Sequence, residues 1–212
     1  MKEKKSKERK LSKAEQKRKE AFEQLTEKLM AQGYKPGNLL ISPLEANVLS
    51  VVIVLPFVVA LLIAYSLVGH EIQFSNRNLL ISYVGFILFI VVHELIHGAT
   101  WAFFAEGGWK TISFGFNAEY LAPYCNCNQP LKKKHMIIGA LMPTIILGVL
   151  MGAVAVISGS TILLFIAVLM LFGGGGDMLV TMKLLRYKSV SEDVLFIDHP
   201  YEVGTAVFEK VD

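Results

Sequence analysis

Residues 79–104 read LLISYVGFILFIVVHELIHGATWAFF, an apolar run whose only carboxylate and imidazole side chains are His93, Glu94 and His97. The run exceeds the roughly 20 residues that cross a hydrocarbon core about 30 Å thick. On a helix, residues four apart share a face. His93 and His97 can therefore offer both imidazoles to one metal ion, with Glu94 beside them to take a proton from a bound water. A charged side chain at the centre of a membrane helix costs about 2.5–3.5 kcal/mol, and such groups usually mark functional sites. The bland alternative is a pair of histidines that only hydrogen-bond between helices. His70-Glu71 is an internal control: position 74 is Phe74, so no second His completes the pattern, and the pair reads as a solvated helix end.

Outward from this stretch, three more apolar runs lie at about residues 47–69, 136–157 and 161–185, which predicts four transmembrane helices in all. The chain has 212 residues, 53% hydrophobic and 18% charged, with a mean hydropathy of +0.49, which argues against a soluble globular domain. Its two cysteines, Cys125 and Cys127, are too close in sequence to build a disulfide framework, so a secreted disulfide scaffold is excluded. The first apolar run follows more than forty mostly polar residues, is too long and has no small-residue cleavage site after it, so a cleaved signal peptide is a poor alternative for it.

The net charge of +3 conceals a basic tail: residues 1–20 carry ten Lys/Arg and four Glu, a net +6, which leaves the rest at −3. Ser12-Lys13-Ala14-Glu15 has the form of a capping box, and Phe22, Leu25 and Leu29 recur at helical spacing up to Gly33, which predicts a basic amphipathic helix. Adhesion to anionic headgroups and a solvated tail are both open readings of it. Nucleic-acid binding is not expected, because membrane topology already accounts for the charge. Pro36-Gly37 reads as a linker, and Ser42-Pro43-Leu44-Glu45 as the cap of the first membrane helix, in which Pro56 is an expected kink. This divides the chain into a tail and linker (1–42), a four-span domain (43–188) and a C-terminal tail (189–212). Lys110, Lys132-Lys133-Lys134, Lys183, Arg186 and Lys188 flank the spans on the same side as the basic tail, so the positive-inside rule places both termini in the cytoplasm.

Two histidines make an incomplete catalytic zinc site, which takes three protein ligands and leaves a position for water. Asp177, after Gly173-Gly174-Gly175-Gly176, is the other acid inside a predicted span. Counted from the outer ends of their runs, His93, His97 and Asp177 all reach roughly 21–27 Å depth at about 1.5 Å per residue. Asp177 therefore fits as third ligand, or as a partner that hydrogen-bonds a ligating His. The glycines would let its helix approach the second span closely or open locally, or serve packing alone.

In the loop after the second span, residues 110–116 alternate Ile112, Phe114 and Phe116, and residues 119–124 follow, which predicts a short hairpin beside the site. Such an edge could hold an extended peptide or simply cap the bundle. Cys125, Cys127 and His135 could in principle bind a second metal, although thiols one residue apart in a reducing compartment are more often free. Residues 194–209 alternate weakly about Asp198-His199-Pro200 and Gly204, which predicts a second membrane-proximal hairpin, with His199 not expected as a ligand.

His93-Glu94-Leu95-Ile96-His97-Gly98 in a membrane helix, Gly139-Ala140-Leu141-Met142-Pro143 in the third and Gly176-Asp177 in a later one resemble the three-helix core of the site-2 protease class of intramembrane zinc metalloproteases. In size and layout, and in Asp198-His199-Pro200, the chain is closer still to small bacterial membrane proteins described as putative zincin peptidases. The resemblance covers about residues 79–185, and the chain has Gly-Gly-Asp-Met where site-2 proteases have Asn-Pro-Asp-Gly or Leu-Asp-Gly. It implies that His93, His97 and Asp177 bind Zn²⁺ and that Glu94 is the general base. A metal several residues inside the cytoplasmic boundary, next to the hairpin, is reached by an extended segment and not by a folded soluble protein, so the expected substrate is a membrane-anchored peptide or protein, at what is expected to be a bacterial cell membrane. The expectation is thus an all-α, four-span membrane metallopeptidase with a small β-hairpin. The contending class is a non-catalytic membrane zinc-binding or scaffold protein. A transporter is a weaker rival, since the two halves show no repeat.

Overall fold

The computed structural model describes residues 13–42, 44–117, 122–200 and 202–211. Among the described residues, three helices are long and apolar enough to cross a membrane: α2 (Glu45–Leu67), α3 (Asn76–Phe104) and α4 (Lys133–Ser158). A fourth crossing exists only if α5 (Thr161–Gly173) and α6 (Gly175–Arg186), bent by 43° at Gly174, count as one span. Large apolar side chains such as Val52, Phe57, Ile63, Leu80, Leu88 and Val91 are exposed along these helices, an apolar exterior that suits lipid and not water.

Local signals account for the helix ends. Ser42 N–H donates to Glu45 Oε2 (2.7 Å) while Glu45 N–H donates to Ser42 Oγ (3.3 Å), so the expected cap of α2 is a reciprocal capping box; Pro43 within it lies outside the described residues. α3 begins three residues before its apolar run because Ser75 accepts from Asn78 N–H. Pro143 lies inside α4, and the turns after it (Thr144–Leu150) are wound as π-helix. The glycine run opens its helix locally, one of the expected readings, but the close approach is to other helices than the second span: a Cβ at Gly174 would collide with Thr144 of α4, and one at Gly175 would lie 2.9 Å from Ser50 Cβ of α2. The broken helix therefore approaches the first and third membrane helices at its bend.

The architecture is mostly helical but not all-α, because the chain ends contribute a sheet. β1 (Tyr34–Leu40), β5 (Gly204–Lys210) and β4 (Val194–Asp198) form an antiparallel sheet in the order β1-β5-β4, with Tyr34↔Lys210 and Val194↔Glu209 in register. The C-terminal hairpin is thus present. Pro36-Gly37 is not a linker but lies within β1, an edge strand, where a missing N–H is tolerated. Helix α1 (Lys13–Ala31) precedes the sheet, and its Phe22, Leu25 and Leu29 pack on Ile197, Ala206 and Phe208. Ser12 of its predicted capping box lies outside the described residues.

A second sheet, the hairpin of β2 (Ile112–Asn117) and β3 (Ala122–Cys127), occupies the loop after α3. Its second strand runs further than expected, through both cysteines; residue 118 of the predicted turn and residues 119–121 of the predicted second strand lie outside the described residues. One apolar cluster of Trp101, Cys127, Leu131, Met136, Leu184, Phe196 and Val207 joins the membrane helices, the hairpin and the terminal sheet. Lys183 adds a polar tie, with Nζ 2.9 Å from Glu45 Oε1 and donating to the Leu40 carbonyl at 2.6 Å. At the other end of the bundle, His70 is not a solvated helix end. It is half-buried, its Nε2 lies 2.9 Å from the Val156 carbonyl, and its ring packs 5.1 Å from Tyr65.

Candidate metal centre

His93 and His97 lie one turn apart on the inner face of α3 and are both buried. Asp177 enters from the first turn of α6, just past the bend at Gly174, and is partly buried. The helix break brings the carboxylate to the histidines: Asp177 Oδ2 is 3.2 Å from His93 Nε2 and 3.4 Å from His97 Nε2, and the two Nε2 atoms are 3.1 Å apart. Tetrahedral zinc with ligand distances of about 2.0–2.1 Å places its donor atoms about 3.3 Å from one another. The triangle therefore has the edge lengths of one face of such a polyhedron, and the donor set of two imidazoles and a carboxylate suits Zn²⁺.

The surroundings orient these donors. The Gly139 carbonyl lies 2.8 Å from His97 Nδ1, so Nδ1–H donates to it and Nε2 keeps its lone pair for a metal. Trp101, one turn beyond His97, stacks on that imidazole with centroids 5.0 Å apart and planes 12° apart. Gly139 makes this possible, since a Cβ there would overlap the Trp101 indole. Glu94 is half-buried next to the triad, and the Cys125 backbone N–H faces its carboxylate. The hairpin reaches that position because α3 has Gly98 under it; a Cβ there would fall 2.6 Å from Phe114 Cζ and 3.1 Å from Ile112 Cγ2.

Among the described residues His93, His97 and Asp177 are the one group of three or more such donors gathered closely enough for a metal. Cys125, Cys127 and His135 do not come together. Burial pushes the Cys127 thiol up to about 11 and raises Cys125 further, so both stay protonated, and His135 stacks on Phe104 at 4.2 Å. His199 is buried in the turn after β4, where Nδ1 accepts from Glu202 N–H. Sequence reasoning missed Trp101, and it quoted Gly98 and Gly139 within motifs without assigning either a role at the site. Trp101 had a detectable signal in its spacing of four from His97; the carbonyl of Gly139 had none.

Comparison with known proteins adds one match. The model of a family described as putative zincin peptidase covers residues 86–191, a segment that contains His93, Glu94, His97 and Asp177. No curated protein and no solved structure matches the chain.

Proposed function

The chain belongs to the family of putative zincin peptidases, and from that premise we propose that it is an intramembrane zinc metalloprotease that cleaves membrane-anchored substrates near the cytoplasmic face. The observation that carries this reading is the triangle of His93, His97 and Asp177 donor atoms within apolar helices, with Glu94 adjacent. When bound, Zn²⁺ supplies a Lewis acid for the scissile carbonyl and lowers the pKa of water towards 7. His93 Nε2, His97 Nε2 and an Asp177 oxygen would hold it. Gly139 keeps His97 in the ligating tautomer, and Trp101 fixes its ring plane. Glu94 accepts the proton of the attacking water and delivers it to the leaving amine nitrogen, while the surrounding helices exclude bulk water.

The bent pair α5–α6 counts as the fourth span in this reading, and both termini, the hairpin and the terminal sheet lie on the cytoplasmic side of a bacterial cell membrane. A substrate segment would have to be extended at the zinc, and strand β2, whose outer edge faces no strand among the described residues, offers backbone groups for it. The basic residues of the N-terminal tail would favour anionic lipid. The apolar side of α1 packs on the sheet, so that attraction would be electrostatic.

Glu94→Gln tests the proposal. The variant should retain zinc, because Glu94 is not a ligand, and lose hydrolysis, because an amide cannot take the proton. Cells carrying it should accumulate intact membrane proteins that wild-type cells cut, with cut sites close to the cytoplasmic boundary by mass spectrometry. A variant that holds zinc and cuts like wild type would refute the assignment of Glu94, and a wild-type protein that holds zinc but cuts nothing would favour the scaffold reading.

A further inference from the structure

The amides of β3 carry an arrangement that the ligand triangle does not account for. In the β2–β3 register Asn128 N–H donates to the Thr111 carbonyl, and Ile112 pairs with Cys127 and Phe114 with Cys125. Bonded and non-bonded pairs alternate along an antiparallel ladder, so the N–H groups of Cys125 and Cys127 point away from β2, out of the hairpin's far edge. No strand continues the sheet there among the described residues. Instead Cys127 N–H donates to Asp198 Oδ2 at 2.9 Å, while Cys125 N–H is turned towards Glu94. Two residues along a strand advance about 6.8 Å, so Asp198 of β4 caps one outward amide of this edge while the next lies beside Glu94 of α3.

We propose that Asp198 is a positioning residue that fastens the β2–β3 hairpin to the sheet built from both chain ends, and so sets where the hairpin meets Glu94. Neighbouring contacts make the attachment stiff. Two residues before Asp198, Phe196 exchanges both backbone hydrogen bonds with Leu131, at 2.7 and 2.9 Å, so the chain leaving the hairpin is stitched to β4. On the other side, the Arg18 guanidinium of α1 lies 4.4 Å over the Tyr124 ring, and that ring covers Gly115 of β2. Asp198 lies outside the segment matched by the family model. Loosening it frees the Cys125–Cys127 edge, and with it the Ile112, Phe114 and Cys125 side chains that pack on α3 at Gly98, beside Glu94. The tie itself depends only on the geometry of β3 and β4; its consequence for catalysis rests on the reading of Glu94 as the base.

Amide hydrogen exchange on the full-length protein in nanodiscs tests the tie. In the wild type, the Cys127 amide should exchange at least about tenfold more slowly than the uncapped outward amides of Phe114 and Phe116. Equal rates would overturn the proposal without any variant. Asp198→Ala should bring the Cys127 amide to the rate of Phe116 and raise exchange across the hairpin, with α3 exchange and zinc content unchanged. Asp198→Asn, whose amide oxygen still accepts, should restore most of the protection. On a cleaved substrate Asp198→Ala should lower kcat tenfold or more with KM changed less than twofold, and Asp198→Asn should recover it. Loss of protection with kcat unchanged would leave the tie and overturn the positioning role, whereas absence of cleavage in the wild type would strike the reading of Glu94 alone.

Discussion

Gly139→Ala is the most demanding test of how the centre is built, because it alters no proposed ligand. The added Cβ would overlap the Trp101 indole, a rigid ring held flat against His97 at 5.0 Å. Either Trp101 slides off the imidazole, or α4 retreats and carries the Gly139 carbonyl away from its 2.8 Å contact with His97 Nδ1. Both routes release the orientation of His97. Loss of such an outer partner weakens metal affinity by about 10–100-fold, or about 1.4–2.7 kcal/mol, and overpacking costs about 1–3 kcal/mol of stability in addition. Chelator competition on detergent-purified protein measures the first, and thermal unfolding the second. Gly148→Ala is the matched control: it lies on the same helix, its Cβ would meet the flexible Leu171 side chain at 2.6 Å, and it touches neither histidine. It should hold zinc as the wild type does. Zinc affinity of Gly139→Ala within twofold of wild type would refute the argument that the carbonyl and the indole prepare His97.

Gly204→Ala should destabilise the terminal sheet by about 1–3 kcal/mol, since φ is +133° and a Cβ would collide with the Leu39 carbonyl; unchanged unfolding and intact β1 amide protection would contradict this. Cys127, with its thiol pushed up to about 11 and its side chain fully buried, should react with iodoacetamide at pH 8 about 200-fold or more slowly than a free thiol, and rapid labelling of native protein would refute that burial. Burial raises Asp198 from 3.8 to about 6, partly offset by the Cys127 N–H. The native state therefore keeps a proton that the unfolded chain releases above pH 4, and stability falls as pH rises from about 4 to 6. The unfolding free energy of wild type relative to Asp198→Asn should drop by about 3 kcal/mol across that window, and parallel pH curves would disprove it.

Residues 79–104 were enough to place two imidazoles and a carboxylate on one membrane helix, because a period of 3.6 and an apolar flank are local properties of the chain. The depth of Asp177 was also legible, since rise per residue in a helix is constant, and the structure does bring it to His93 and His97. How it gets there was not. The bend at Gly174 depends on Thr144 and Ser50 standing where a Cβ would otherwise go, contacts between residues far apart in sequence. The carbonyl of Gly139 carries no side-chain signature at all, so its role towards His97 exists only once α3 and α4 are packed. The strand Tyr34–Leu40 was hidden by Pro36-Gly37, and its partner β5 lies at the opposite end of the chain. Backbone pairing across such a separation is set by the packed core that Trp101, Leu184, Phe196 and Val207 share, and not by the local preferences of either strand.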